Sequence, residues 1–260
     1  MRTPLALAAV ALVGLALSGC ARDAPARAAH ASEGASLSGS ITVDAAASLN
    51  RVLPALARSF ERQHPGATVT FNFGGSSALA ASIVSGAPVD VFAAASTTTM
   101  RTVQDAGLTA GEPVVVARNR LEIAVPRGNP GRITGLADFA DPARTIVVCD
   151  AAVPCGAAAK QVFALAEVEA RPDSYEPDVT SVLTKVEGDE ADAGLVYATD
   201  VRAAGSRVEG IPFDEASRAV TDYPIAALKG SANAALAKAW VAYVRSHERD
   251  LQSAGFLAPQ

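Results

Sequence analysis

An α/β fold is what this sequence predicts, and three observations predict it. From residue 41 to the C-terminus, β-branched runs alternate with amphipathic helical patterns. The segments between them are short, and no repeat of 20–50 residues is visible. Two runs, one around Val116 to Val125 and one around Tyr223 to Leu228, are candidate crossings between lobes. A chain that leaves one lobe and later returns to it makes a two-lobed body with a cleft.

The elements follow in order. ITVDAA (41–46) reads as a buried strand and LNRVLPALARSFERQH (49–64) as an amphipathic helix. Pro54 implies either an irregular first turn or a helix that begins near Leu53. VTFNF is a strand, and SSALAASIVSG is a short helix stopped at Gly86. PVDVFAAAS is a strand and TTTMRTVQDAG a helix. PVVVA and LEIAVP are strands separated by Arg118-Asn119-Arg120. A second set follows: LADFA is a short helix, RTIVVCD a strand, and CGAAAKQVFALAEV a helix entered through Val153-Pro154-Cys155-Gly156. VTSVLTKVEGDE is a helix and AGLVYAT a strand. VEGIPF and YPIAALK are strands, and ANAALAKAWVAYVRSHERDL is a strong helix pattern.

The 260 residues suffice for one large domain or two modest lobes. Half of them are hydrophobic but only 5% aromatic, so the cores are built from many small contacts. The formal net charge is -5, and no Lys/Arg cluster stands out, which removes the electrostatic footprint of a nucleic-acid binder. Negative charge also opposes long-range attraction of anions, so any bound anion needs short-range donors.

The N-terminus reads as a targeting segment. Arg2 precedes an apolar stretch, Leu5 to Leu17, too short to span a bilayer comfortably. It ends in Leu17-Ser18-Gly19-Cys20, which resembles the lipobox of bacterial lipoproteins; the alternative is an ordinary cleaved signal with an incidental cysteine. The resemblance implies a diacylated Cys20 and an extracytoplasmic protein anchored to the cell membrane, two acyl chains being enough for stable anchoring. Residues 21–40 lack apolar periodicity and read as a flexible tether spanning about 25 Å. Cys149 and Cys155 then remain, in VVCDAAVPCG. Their C-x5-C spacing is no redox motif, and an oxidising compartment favours a structural disulfide over two free buried thiols. His30, His64 and His247 lie in unrelated contexts, which argues against zinc.

Two turns carry the functional signal. AAASLN (45–50) and FGGSSA (73–78) each follow a β-branched run, end it in small residues and a serine, and open a helical pattern. A serine there can cap the helix. It can also turn its hydroxyl and N–H toward an anion at the positive end of the helix dipole. Both turns follow strands, and ligands of α/β proteins sit at strand C-termini.

ITVDAAASLN, FNFGGSSALA and SGAPVDVFAAAS together resemble the first lobe of the periplasmic molybdate-binding proteins of ABC transporters. VPCGAAAKQVF and the pair DVTSVL … AGLVYATDV resemble that family's second lobe, so the likeness covers nearly all of residues 41–260. It implies a two-lobed periplasmic-binding-protein fold, each lobe a mixed sheet flanked by helices, with lobe I at 41–120 and 225–260 and lobe II at 121–224. It also implies a cleft in which neutral groups hold the oxyanion. Ser48 and Ser76 match the two serines that donate hydroxyl and N–H. Cys155 and Val179 match backbone N–H donors, and Tyr197 matches the tyrosine whose phenol reaches the ligand. Cys155 departs from the small residue usual there; a disulfide to Cys149 would hold its side chain away. Val179 and Tyr197 also have plain readings as core and sheet-packing residues. The expected ligand is molybdate, with tungstate, so molybdenum enters only as the oxyanion and touches no protein atom as a metal. No cofactor is implied. The expected partners are a permease and the membrane, and the expected state is a monomer. No carboxylate falls at the site. The rival readings are a sulfate, thiosulfate or phosphate receptor, an adhesion or structural lipoprotein, and a serine hydrolase in which Gly74-x-Ser76-x-Ala78 acts as a nucleophile elbow with His247 as base.

Overall fold

A computed structural model describes residues 37–260. The signal segment, Cys20 and most of the tether lie outside them. The chain runs from β1 (Ser38–Ala46) through a 3-10 turn (Ala47–Leu49) into α1 (Val52–Gln63). β2 (Gly66–Gly74) leads to α2 (Ser76–Val84), and β3 (Val91–Ala93) to α3 (Thr97–Asp105). β4 (Val114–Asn119) and β5 (Leu121–Pro126) are separated by Arg120 alone. Next come β6 (Ile146–Cys149), α4 (Pro154–Leu165), β7 (Ser174–Glu176), α5 (Val179–Glu187), β8 (Ala193–Tyr197) and α6 (Ala198–Ala204). β9 (Val208–Ile211), β10 (Thr221–Ala227), α7 (Ala234–Ser246) and α8 (Glu248–Ser253) complete the chain.

The described strands form two five-stranded mixed sheets, ordered β2-β1-β3-β10-β4 and β7-β6-β8-β5-β9. Each sheet has a parallel trio, β2-β1-β3 in one and β7-β6-β8 in the other. Each trio is joined by an antiparallel strand that has crossed from the other lobe: β10 beside β3, and β5 beside β8. The crossings are the single residue between β4 and β5 and the segment between β9 and β10. Helices cover both sheets, and each lobe has its own apolar core. In the first, Phe60, Leu53 and Trp240 pack beneath the sheet; in the second, Phe139, Val162 and Val182 do.

Five local features differ from the sequence reading. Ser38 to Ser40, read as the end of the tether, belong to β1, because each pairs in register with Gly66 to Thr68 of β2. β7 was not expected: it is three residues long, and only pairing with β6 makes it a strand. α6 was not expected either; Asp200 accepts the Tyr197 N–H at 3.0 Å and opens a helix where the apolar run ends. The last helical pattern breaks at His247, whose Nδ1 lies 2.7 Å from the Tyr243 carbonyl that a continuous helix would keep for the His247 N–H. β10 begins at Thr221, so Thr221 to Pro224, read as the end of lobe II, pair with β4 in the first sheet. Pro54 sits in the first turn of α1, where its missing N–H has no intrahelical acceptor to lose.

Cys149, at the end of β6, is joined to Cys155 in the first turn of α4, with Cα atoms 5.7 Å apart. Both are buried. The link and Gly156 press the α4 N-terminus onto the end of β6: a Cβ on Gly156 would lie 1.9 Å from the Asp150 carbonyl oxygen. Both cysteines should resist alkylation in the folded protein until reduced, checked by mass spectrometry. The loop is short, so Cys149→Ala with Cys155→Ala should cost only about 2.5 kcal/mol in chemical denaturation.

Candidate functional site

Parallel strands in register end side by side, and here both trios end at the same cleft. β1 and β2 pair Ala46 with Gly74, so the turns holding Ser48 and Ser76 emerge next to each other. In the second sheet β7 pairs Glu176 with Cys149 of β6, which sets the starts of α4 and α5 side by side, and β8 ends on Tyr197. The walls of one small chamber between the lobes include all five residues singled out from the sequence: Ser48, Ser76, Cys155, Val179 and Tyr197. No Lys, Arg or His is among its lining residues. Its cavity volume is about 10 Å³. Pockets for drug-sized organic ligands run to about 300–1,000 Å³, so this chamber has no room for one of those. A much larger groove, about 690 Å³, lies between α1 and the α7–α8 pair and contains none of the five.

Neither serine uses its side chain as a helix cap. Ser76 is the first residue of α2, after Gly75, and its Oγ accepts the Ala95 N–H at 3.0 Å. One acceptor position of that hydroxyl is taken, and its proton is left to donate. Ser48 lies within the 3-10 turn before α1, with its Oγ 2.8 Å from the Tyr223 hydroxyl. Cys155 and Val179 stand in the first turns of α4 and α5. Backbone N–H groups there have no intrahelical acceptor and carry the positive end of the helix dipole. The Cys155 sulfur is tied back to Cys149, so it is the start of α4 that is presented to the chamber.

The phenol of Tyr197 is buried and its oxygen finds no hydrogen-bond partner. Burial, above all, pushes its pKa far up, and Asp200 adds to the rise. The phenol therefore keeps its proton at any physiological pH. Asp200 is buried too, and burial pushes it up to about 7, with Asp178 adding to the rise and the Tyr197 N–H opposing it. The negative charge near the chamber is thus partly quenched at neutral pH.

Asp178 also lines the chamber, a position the sequence reading left without a carboxylate. It caps α5: its Oδ1 accepts the Ser181 N–H at 2.9 Å and the Ser181 hydroxyl at 3.2 Å. The D-x-x-S spacing of DVTS was the available signal. Other omissions had no local signal. His247 and Ser76, paired in the hydrolase reading, are not brought together: His247 stacks on Tyr243 at 3.8 Å, on the wall of the α1–α7 groove.

The lobes touch across the chamber. Ser77 donates to the Ala152 carbonyl at 2.7 Å, and the Asn50 amide to the Thr180 hydroxyl at 3.3 Å. Gly75 permits this closure. Its backbone is in ordinary extended territory, but a Cβ would lie 2.4 Å from the Pro177 carbonyl oxygen of the other lobe. Gly75→Ala should hold the lobes apart. The expected result is near-wild-type thermal unfolding, since Gly75 packs on the other lobe and not in its own core, together with a larger radius of gyration in small-angle scattering.

Comparison with known proteins fits this architecture. Residues 41–256 match the family model for bacterial extracellular solute-binding proteins. Over 222 residues the chain is 41% identical to the molybdate-binding protein ModA of Mycobacterium tuberculosis H37Rv, covering 85% of each chain. Among solved structures, the periplasmic molybdate-binding protein of Azotobacter vinelandii superposes with a TM-score of 0.71 at 20% identity, over 85% of this chain and all of that one. The sulfate-binding protein SubI of M. tuberculosis H37Rv superposes with a TM-score of 0.69 at 17% identity, over 84% of this chain and 86% of that one. At those identities the two superpositions speak to the fold alone. The match to the family model spans both lobes and the chamber between them: this chain belongs to the bacterial extracellular solute-binding proteins.

Proposed function

We propose that the chain is an extracytoplasmic receptor that captures molybdate, and tungstate with it, and delivers the oxyanion to an ABC importer. The observation that carries this reading is the unpartnered Tyr197 phenol, buried in a chamber walled by two serines and two helix starts. A donor with no acceptor in the protein is costly unless a ligand supplies one. The 41% identity to a molybdate-binding protein points to the same ligand. The receptor binds its ligand and carries out no chemistry on it.

The proposed ligand contacts are the hydroxyls and N–H groups of Ser48 and Ser76, the N–H groups of Cys155 and Val179, and the Tyr197 phenol. All are neutral donors. A fully deprotonated tetrahedral dianion accepts from all of them. Hydrogen phosphate would turn an O–H toward donors, at a cost of about 1–3 kcal/mol. Asp178, the carboxylate in the wall, has an oxygen already committed to Ser181. Sulfate shares the charge and shape of molybdate, so chamber size separates those two.

Ser48→Ala, Ser76→Ala and Tyr197→Phe each remove one hydroxyl donor. A hydrogen bond to a charged group is worth about 1.5–3 kcal/mol, so calorimetry should show molybdate binding weakened about ten- to a hundredfold in each. Wild type should melt later with molybdate or tungstate and hardly later with phosphate. Equal protection by phosphate, or full molybdate binding by the double serine variant, would overturn the reading.

The lipid anchor belongs to the same proposal and rests on Leu17-Ser18-Gly19-Cys20. Cys20→Ala should move the protein from the membrane fraction to the soluble one and leave molybdate affinity unchanged. Unchanged membrane retention would mean that another segment holds it.

A further inference from the structure

Ser48 can serve the proposed ligand as a donor only if its own proton points into the chamber, and a buried polar chain at the hinge bears on that proton. The chain begins at Asn119, the last residue of β4, beside the crossing into the second lobe. Its Oδ1 accepts the Arg120 N–H at 3.0 Å, which turns the amide nitrogen the other way. That nitrogen donates to the Thr199 hydroxyl at 2.7 Å and to the Tyr223 hydroxyl at 3.5 Å. An amide nitrogen only donates, so the Tyr223 oxygen is an acceptor there. The Tyr223 proton then has one acceptor in hydrogen-bonding geometry among the described residues, Ser48 Oγ at 2.8 Å. Burial pushes the Tyr223 phenol well above its ordinary pKa, with Tyr197 adding to the rise, so the proton is always present. Asn119 and Tyr223 are both almost fully buried, which keeps water from substituting for either.

We infer that Asn119 and Tyr223 are positioning residues that set the direction of the Ser48 hydroxyl, making it a donor toward the chamber and so discriminating against protonated oxyanions. Ser76 has the same polarity by a shorter route, through the Ala95 N–H. A Ser48 hydroxyl released from Tyr223 can rotate and accept from the O–H of a ligand such as hydrogen phosphate. A bound one presents its proton. The inference rests on the molybdate reading above and deepens it.

The test is the ratio of phosphate to molybdate dissociation constants, measured by calorimetry and by competition, with apo melting curves as a check on folding. Tyr223→Phe keeps the ring in the core and removes the hydroxyl; the ratio should fall about tenfold or more. Asn119→Ala leaves the phenol but lets it turn, and should lower the ratio in the same direction. Where Tyr223→Phe does not fold, Asn119→Ala decides. In a Ser48→Ala background Tyr223→Phe should leave the ratio unchanged, because the effect runs through that hydroxyl; a merely structural role would move it in both backgrounds. An unchanged ratio in the single variants, or an equal fall without Ser48, overturns the inference while molybdate still binds. Wild type that does not bind molybdate overturns the functional reading instead.

Discussion

An anion without a cation beside it is held only by donors that have no better partner. In the proposed function that constraint organises the cleft. Helix starts supply such donors, because their first N–H groups have no acceptor within the helix. One helix start is weak; several aimed at one point are not, since each dipole end is felt within about a turn of the helix. Convergence therefore has to come from the sheets. Parallel strands ending in register put the turns of β1 and β2 together on one side, and those following β6 and β7 on the other. Tyr197, at the end of β8, adds a phenol with no acceptor of its own.

The same constraint explains why the chamber has no lysine or arginine in its walls although the proposed ligand is doubly charged. A mobile cationic side chain would bind anions of many shapes. Fixed neutral donors bind only what fits their directions, and they need the water excluded. Exclusion depends on the lobes meeting closely, which is why Gly75 has no room for a side chain opposite Pro177. The buried Asp200 adds to this balance. A carboxylate pushed up to about 7 carries less negative charge near an anion than an exposed one would.

The two crossings make the molecule two-lobed without making the lobes independent. β10 joins a sheet whose other members come from a much earlier stretch of chain, and β5, directly after the first crossing, lies inside the second sheet between β8 and β9. The polar chain from Thr199 through Asn119 and Tyr223 to Ser48 lies at these crossings, so the hinge and the Ser48 hydroxyl share one hydrogen-bonded unit. Buried polar groups in such a unit are strongly directional, because each lost partner is costly where water cannot replace it.

Much of this was legible in the linear chain. Alternating apolar periods determined the α/β layers, and the small residues and serines at 45–50 and 73–78 marked the strand ends where donors gather. Those are local properties: side-chain period follows backbone geometry, and turn residues follow dihedral preference. β7 was not legible, because three residues make a strand only when a neighbour pairs with them. The partners of the site hydroxyls were not legible either. Ser48 and Tyr223 are 175 positions apart, Tyr223 and Asn119 are 104 apart, and Gly75 meets Pro177 from the other lobe. The sequence by itself determined which groups could donate. Only the tertiary structure decided where each donor points, because a hydroxyl's direction is set by whichever neighbours the fold brings to it.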